Sequence, residues 1–195
     1  MYGKRLDIVS FRRLMGVLVA VFVVAAASAR TYGHSIGGNI GSTYGVSYKG
    51  FVFPQVKGLA LQTDLEIKLL AVPISVENWI GQTFATSWSC YTFEFNPDIL
   101  YQSLVAEFDE GRVDWYAGGG LSLGLMRDMA VAYDEYDPTL GKFGVNAVAG
   151  VELLFDAVPV NLSFDFRPGY GIAFIKDYHL SFFDWALTVG VRYRF

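Results

Sequence analysis

Apolar and polar residues alternate along much of the chain with a period of two, which is typical of β-strands. The clearest run is LALQTDLEIKL, residues 59–69, in which one face is apolar and the other carries Ala60, Gln62, Asp64, Glu66 and Lys68. The same alternation marks residues 113–125, 143–155, 158–168 and 185–195. A helix would scatter these apolar residues around its axis, so each run predicts a strand.

Three further runs alternate less clearly and bring the predicted number of strands to eight. They are GHSIGGNIGS (residues 33–42), YGVSYKGFVF (44–53) and FATSWSCYTFEF (84–95). The last is ambiguous, because Trp88 and Cys90 share one face while three aromatic residues share the other. Ten strands stay open as an alternative, since residues 75–84 and 96–112 could each contain another strand.

The segments between the runs predict which connections are short. Residues 54–58 and 156–159 predict tight turns, whereas residues 126–141 and 168–184 predict long loops at the opposite end of the sheet. The first loop of that end, near residues 43–45, is almost absent. The segment 96–112 is too long for a tight turn, and PDILYQSLVAEF within it predicts a short helical turn.

The second face of these runs decides between two all-β folds. A soluble β-sandwich would carry many Lys, Glu and Thr on its outer faces. Here the second face is mostly Gly, Ala, Ser and Asn with isolated charges of both signs, which suits a crowded, narrow interior. In hydrocarbon, each unpaired backbone group costs several kcal/mol, so a sheet must close on itself. We therefore predict a closed eight-stranded antiparallel transmembrane β-barrel, with aromatic residues where the membrane meets water.

Residues 1–29 predict a cleavable export signal rather than part of the barrel. A basic start precedes an apolar run from residue 14 to 27, and the small residues Ala27 and Ala29 define the cleavage site. A spanning helix is the alternative, but it needs roughly 20 apolar residues. The barrel domain is then predicted to cover residues 30–195, and the protein to reside in the outer membrane of a Gram-negative cell.

Composition excludes several classes of function. Hydrophobic residues make up 53% of the chain and charged residues 17%, with a formal net charge of −4. An acidic protein is a poor partner for nucleic acid. The lone Cys90 cannot form an internal disulfide, and His34 and His179 are the only histidines. We therefore expect no metal site and no cofactor.

Charged residues on the second face predict a network of ion pairs in the lumen, because buried charges need partners. The predicted members are Asp64, Glu66, Lys68, Asp114, Glu152, Asp165, Arg167, Arg192 and Arg194. An eight-stranded barrel is just wide enough for side chains to fill, so free diffusion through it is not expected. A narrow gated path for ions or protons along the same charges is the functional alternative.

Three other motifs are candidates for chemistry. His179 and Ser181 lie two residues apart on one strand face, where an imidazole could activate a hydroxyl. The segment MRDMAVAYDEYDPTLG carries Asp128, Asp134, Glu135 and Asp137, but it lacks the spacing and glycine of an EF-hand, so we expect a solvated acidic loop. The glycines at 118–120 precede no helix, and we expect them to relieve crowding in the wall.

The chain resembles the small outer membrane β-barrel proteins of Bacteroidetes-type bacteria, and more distantly the OmpA, OmpX and OmpW-like eight-stranded barrels. The resemblance is carried by IGGNIGSTYGVSYKGF, VDWYAGGGLSLG, FGVNAVAGVELLFDAVPVNLSFDFRPGY and ALTVGVRYRF. It implies an integral outer membrane protein surrounded by outer membrane lipids and lipopolysaccharide. Val191, Tyr193 and Phe195 resemble the signal read by the barrel assembly machinery, which would bind them as an added strand.

The resemblance implies a non-enzymatic structural or surface-interaction role. One alternative comes from the His-x-Ser spacing of 179–181, which is similar to that of lipid A deacylases of the PagL type, also eight-stranded barrels. Those enzymes use a downstream glutamate to orient the histidine, whereas no Glu follows Glu152 here and Asp184 is the only carboxylate after Ser181. A small channel or transporter is the other alternative. The sequence names no ligand, surface partner or oligomeric state.

Overall fold

A computed structural model describes residues 33–53, 55–77, 83–128, 139–175 and 178–195. These residues form eight strands in one antiparallel sheet that closes into a barrel. The strands are β1 (His34–Gly41), β2 (Thr43–Gly50), β3 (Leu59–Glu77), β4 (Thr83–Phe108), β5 (Gly111–Asp128), β6 (Thr139–Phe155), β7 (Val160–Ile175) and β8 (Tyr178–Arg194). The predicted all-β, eight-stranded closed barrel is confirmed. The predicted signal peptide and its cleavage site lie outside the described residues.

Closure joins the first strand to the last. β1 pairs with β8 from Ser35↔Arg194 to Gly41↔Thr188. Beyond that ladder, the Phe195 N–H donates to the His34 carbonyl at 2.9 Å and the His34 N–H donates to the Phe195 carbonyl at 3.0 Å. At this lower end of the barrel, where β1 begins and β8 ends, no strand edge is left open among the described residues.

Alternate residues of each strand face two different environments. Outward side chains are large and apolar and remain exposed, as Trp185 (54%) and Val191 (49%) illustrate on β8. The inward side chains of the same strand are buried, and the polar ones among them include Thr188 (5%) and Arg192 (1%). The described residues contain no helix long and apolar enough to cross a membrane, a finding that does not bear on crossing by strands.

Residues 96–112 correct the sequence prediction of a long connection with a helical turn. β4 continues through them to Phe108, and residues 109–110 alone connect β4 to β5. The pattern misled because it changes phase: a bulge shifts the register between Leu104 and Ala106. The described residues of the segment 75–84, which are 75–77 and 83–84, add no strand, since they belong to the ends of β3 and β4.

The predicted loop at 168–184 is also wrong. β7 runs on to Ile175 and β8 begins at Tyr178, so the connection is far shorter. Pro168 suggested a loop because proline cannot donate to a ladder. It is accommodated because the β6–β7 ladder is interrupted there, between Asn146↔Gly169 and Ala149↔Phe166. Pro97 sits at a similar interruption in the β4–β5 ladder, between Phe95↔Leu123 and Asp98↔Gly120.

The β1–β2 connection is as short as the sequence predicts. Ser42 alone separates the two strands, and the preceding Gly41 has a φ of 150°. A side chain at Gly41 would place its Cβ 2.3 Å from the Leu187 carbonyl oxygen of β8. Glycine is therefore required on two counts, backbone conformation and close approach.

Candidate functional site: the charged lumen

Inward-facing residues fill the lumen with a continuous polar network. Of the nine charged residues that the sequence places there, eight are buried, and Arg194 is half-buried at the lower rim. Arg194 donates to the carbonyls of Phe155 and Val158, the latter at 2.8 Å, so it stabilises the β6–β7 turn. Seven of the other eight lie in three clusters along the barrel axis, and Asp114 adjoins the lower one.

The middle cluster is Arg167 of β7 with three carboxylates, Asp64, Glu66 and Asp98. The Arg167 guanidinium contacts Asp64 directly and lies 3.0 Å from an oxygen of both Glu66 and Asp98. Neutral donors complete the shell of these carboxylates: Gln62 and Asn39 donate to Asp64, and Thr43 and Asn96 donate to Glu66. A single cation thus serves three buried acids, drawn from β3 and β4.

The lower cluster joins Arg192 and Lys49 to Glu152 and Asp165. Glu152 of β6 accepts from Arg192 at 3.0 Å and lies 3.3 Å from the Lys49 ammonium. Gln102 and Asn161 also donate to it, at 2.8 and 2.7 Å. Arg192 lies 3.6 Å from Asp165 and donates to Ser47 at 3.0 Å. The Lys49 ammonium lies 3.9 Å from the centre of the Tyr116 ring, a cation–π contact.

Asp114 of β5 lies directly across from Glu152 of β6 in the ladder and is also joined to it through one amide. Gln102 donates to Asp114 at 2.9 Å and to Glu152 at 2.8 Å. Arg112 of the same strand lies 3.3 Å from the Asp114 carboxylate. The charge of Asp114 is therefore compensated by Arg112 of its own strand rather than by Arg167 or Arg192.

The upper quartet consists of Lys68, Glu94, Lys142 and Asp184. Lys142 contacts Glu94 and lies 2.8 Å from Asp184, and Lys68 contacts Asp184. Ser122 also donates to Glu94, at 3.2 Å. Two cations and two anions are balanced here, in contrast to the middle cluster.

An apolar cap lies above the upper quartet. Its buried members, from five neighbouring strands, are Cys90, Met126, Leu140, Ala173 and Phe182, and the partly buried Leu70 and Leu180 pack against them. All are inward-facing, so the polar filling of the lumen gives way to an apolar layer at the upper end. Cys90, exposed to 0%, is packed within this layer.

Very little space remains between these layers. The cavity between the middle cluster and the upper quartet has a volume of about 20 Å³ and is lined by residues of both. That volume is enough for a single water molecule. Between the middle cluster and the upper quartet, side chains therefore leave room for little more than one water molecule.

Sequence reasoning missed several members of the network, and each omission has a cause. Asp98 fell in the segment predicted to be a helical turn, and Lys142 and Asp184 fell at the edges of predicted loops. Lys49 and Glu94 belong to the weakly alternating runs. The usable signal is parity: Lys142 and Asp184 each lie an even number of positions from a recognised inward residue of the same strand, Glu152 and Arg192.

Among the described side chains, Ser181 and the nearest downstream carboxylate, Asp184, lie on opposite faces of β8. Ser181 is exposed on the outer face of β8, and the side chain of His179 lies outside the described part of the structure. Asp184 has the opposite parity, is buried in the lumen and is held by Lys68 and Lys142. Asp184 is therefore separated from Ser181 by the barrel wall.

The remaining predicted sites are accounted for as follows. Val191, Tyr193 and Phe195 all face outward, with exposures of 49%, 55% and 65%. Of the acidic loop, the backbone of Asp128 ends β5, while positions 134–137 lie outside the described residues. Across the described ranges, no group of three or more His, Cys, Asp or Glu side chains is arranged to hold a metal ion.

The closed ring of eight strands, its apolar outer face and its polar lumen define the fold of the small outer membrane β-barrels. A solved structure, Neisserial surface protein A, matches with a TM-score of 0.52 and 16% identity, over 83% of this chain and 93% of that one. The outer membrane protein Ail of Yersinia pestis is 15% identical over 85% of this chain and 100% of that one, but its TM-score of 0.32 adds nothing to the assignment.

Sequence comparison gives no closer assignment. No protein-family model and no curated protein matches the chain. The predicted resemblance to small outer membrane β-barrels is thus confirmed for the fold, whereas its Bacteroidetes-type part stays a prediction.

Proposed function

We propose that this chain is an integral outer membrane protein without catalytic activity, whose sealed barrel has a structural or surface-interaction role. The observation that carries the proposal is the inversion of polarity across the wall. Outward side chains such as Phe164 (48%) and Leu125 (54%) are apolar and exposed, while Asp64 and Glu152 (both 0%) are buried inside. In water the exposed apolar face would be unfavourable, whereas in a bilayer it contacts hydrocarbon, and the buried charges pair with one another inside the barrel.

The surroundings of such a barrel follow from its outer face. Outer membrane lipids and lipopolysaccharide are the partners of the apolar wall in this proposal. Residues 1–29 direct export, and the barrel assembly machinery inserts the folded sheet. The proposal includes no nucleic-acid partner, because the exposed wall is apolar and the chain as a whole is acidic.

The filled lumen favours a closed barrel rather than a channel. Three ion clusters and the apolar cap occupy its length, and the cavity of about 20 Å³ between two of them is too small for a hydrated ion. The isolation of Asp184 from Ser181 favours a non-enzymatic role over a lipid-modifying one.

Envelope fractionation combined with heat modifiability tests the membrane proposal. The protein should fractionate with the outer membrane, require detergent for extraction, and migrate faster on a detergent gel before boiling than after. Recovery in the soluble fraction without detergent would refute the proposal.

Two further measurements test the closed, non-enzymatic reading. Purified protein in planar bilayers should give no discrete conductance steps; steps that disappear in Arg192→Ala would indicate a channel instead. Lipid A mass spectra should be identical in strains with the unaltered chain and with Ser181→Ala. A loss of deacylated lipid A in that variant would support the enzyme.

A further inference from the structure

Among the side chains that the structure describes, Arg127 is the one charged residue on the outer face of the upper wall. It lies near the upper end of β5, faces outward and is exposed. Every other charged strand residue with a described side chain is either buried in the lumen or lies at the lower end of the barrel. The wall around Arg127 is mostly apolar, as Leu69 (63%) and Phe174 (54%) illustrate. A lipid-facing charge is destabilising in such a wall unless it lies near the membrane surface.

The position of Arg127 along its strand places it at the upper boundary of the membrane. Near the lower end of the same strand, the ring of Trp115 lies beside that of Tyr101, with 6.1 Å between the ring centroids. Aromatic side chains of this kind mark the interface between membrane and water. At roughly 3.3 Å per residue and a strand tilt of about 40°, Arg127 lies roughly 30 Å above Trp115. The hydrocarbon core of a bilayer has about the same thickness, so the guanidinium reaches the headgroups of the upper leaflet.

Two hydroxyl groups flank Arg127 across the sheet. Tyr91 of β4 and Thr139 of β6 are its direct partners in the two ladders, and both side chains are exposed on the outer face. Side chains that oppose each other in this way have Cβ atoms about 5 Å apart. A guanidinium carries several N–H donors in a planar fork, so it can bind the oxygens of a phosphate while it keeps another contact. These three residues therefore present a set of donors suited to an anion.

An apolar groove of about 240 Å³ extends downward from these donors on the outer face. Its outward apolar side chains are Ile67, Phe93 and Leu125, which oppose one another across β3, β4 and β5 and are each about half exposed. Arg127 and the two flanking hydroxyl residues line its upper end. We call this the outer groove. Its shape and charge match a lipid whose acyl chain lies along the apolar side chains and whose phosphate meets the guanidinium.

The leaflet in which the outer groove lies identifies the class of lipid. β1 begins and β8 ends at the lower end of the barrel, and residues 109–110 alone connect β4 to β5 there. Short turns are typical of the periplasmic side. On the membrane role proposed above, the upper end therefore faces the cell exterior, and Arg127 lies in the outer leaflet. The phosphorylated lipid of that leaflet is lipopolysaccharide, whose lipid A carries phosphates next to its acyl chains.

We propose that the outer groove binds one lipopolysaccharide molecule, with a lipid A phosphate on the Arg127 guanidinium and an acyl chain against Phe93 and Leu125. The hydroxyls of Tyr91 and Thr139 donate further hydrogen bonds to the phosphate. This inference rests on the proposed membrane role and deepens it, because it assigns a defined lipid site to a wall that otherwise meets lipid through apolar contacts.

Lipid A binding to the folded protein in detergent micelles, measured by native mass spectrometry, tests the proposal. The unaltered chain should retain one bisphosphorylated lipid A, and Arg127→Leu should weaken this binding about tenfold, because a charged donor is lost. Arg127→Lys should bind more tightly than Arg127→Leu, since it keeps the charge but loses the planar fork. Lys57→Leu is the matched control, because it removes a cation from an exposed position at the lower end. Equal binding by Arg127→Leu and Lys57→Leu would overturn the proposal.

Two further ligands separate the phosphate from the acyl chains. Dephosphorylated lipid A should bind the unaltered chain about tenfold more weakly than the bisphosphorylated form. This comparison needs no variant, so it decides the question even if Arg127→Leu does not fold. Inorganic phosphate should leave the bound lipid A in place. Equal binding of the two lipids, or complete displacement by inorganic phosphate, would contradict a lipid site.

Photo-cross-linking locates the lipid on the wall. A bisphosphorylated lipid A with a diazirine in one acyl chain should label residues 91–95 and 123–127 more than residues 185–193 of β8. Labelling spread evenly around the barrel would indicate general lipid contact and would overturn the outer groove as a site.

These outcomes differ from those that would refute the membrane role. A protein that fractionates with the outer membrane and shows heat modifiability, but binds lipid A equally well without Arg127, overturns the lipid site alone. A protein recovered without detergent overturns the membrane role itself.

Discussion

The middle cluster and the upper quartet are built from the same kinds of side chains but balance their charges differently. Arg167 alone serves Asp64, Glu66 and Asp98, with contacts at or within 3.0 Å. In the upper quartet, Lys68 and Lys142 share Asp184, and Lys142 also contacts Glu94. Removing one cation therefore strips three acids of their ion-pair partner in the first case, but leaves one lysine in place in the second.

The difference shows that the number of contacts is a poor measure of a buried ion's contribution. What matters is what remains after a partner is lost, because an uncompensated buried charge costs far more than a lost hydrogen bond. Substitution of the cation is thus expected to destabilise the barrel most in the middle cluster and less in the upper quartet.

The largest expected effect is that of Arg167→Met. Methionine keeps much of the side-chain volume but leaves three buried carboxylates without a cation, so unfolding should become easier by about 3–5 kcal/mol. Urea unfolding in lipid vesicles, followed by the heat-modified and unmodified gel bands, measures the change.

Lys57→Met is the control for this measurement. Lys57 is exposed in the β2–β3 connection, and its replacement should change the free energy of unfolding by no more than about 0.5 kcal/mol. Equal stability of Arg167→Met and Lys57→Met would show that the middle cluster does not depend on its cation.

The second largest effect is expected for Lys142→Met in the upper quartet. Glu94 would lose its lysine contact and retain Ser122, whereas Asp184 would retain Lys68. The expected loss is about 2–3 kcal/mol in the same urea titration. A loss as large as that of Arg167→Met would mean that the two clusters do not differ in tolerance.

The fold could be predicted from sequence because the two faces of most strands differ strongly in polarity. The signal failed where that contrast disappears. In residues 84–95, inward Cys90 belongs to the apolar cap, so apolar residues occur on both faces of the strand. In residues 96–112, Pro97 and the bulge after Leu104 broke the alternation, although Asp98 and Gln102 kept facing the lumen.

The candidate site was predictable in kind but not in its pairings. Alternation places Arg167 and Asp64 inside the barrel, but they are 103 residues apart in the chain. Their contact depends on the stagger of strands around the ring, which residue patterns do not encode locally.

A smaller effect should come from neutralising one acid in the Arg167→Met background. Asp98→Asn removes one of the three uncompensated charges and keeps the shape, so it should restore about 1–2 kcal/mol of the loss. In the unaltered chain the same substitution should be neutral or destabilising, since it removes an ion pair with Arg167. Additive effects in this double-mutant cycle would argue that Asp98 and Arg167 do not interact energetically.

The smallest effect is expected for Lys68→Met, which sharpens the contrast within the upper quartet itself. Asp184 keeps its 2.8 Å contact with Lys142, so no buried acid is left without a cation, and the loss should be about 1 kcal/mol. The predicted order of stability is therefore Lys68→Met above Lys142→Met above Arg167→Met, measured under one set of vesicle conditions. If Lys68→Met proved more damaging than Lys142→Met, the lysine that reaches from β3 to β8 would be the more important of the two. Its contact with Asp184 would then hold the wall together where β1 and β2 end.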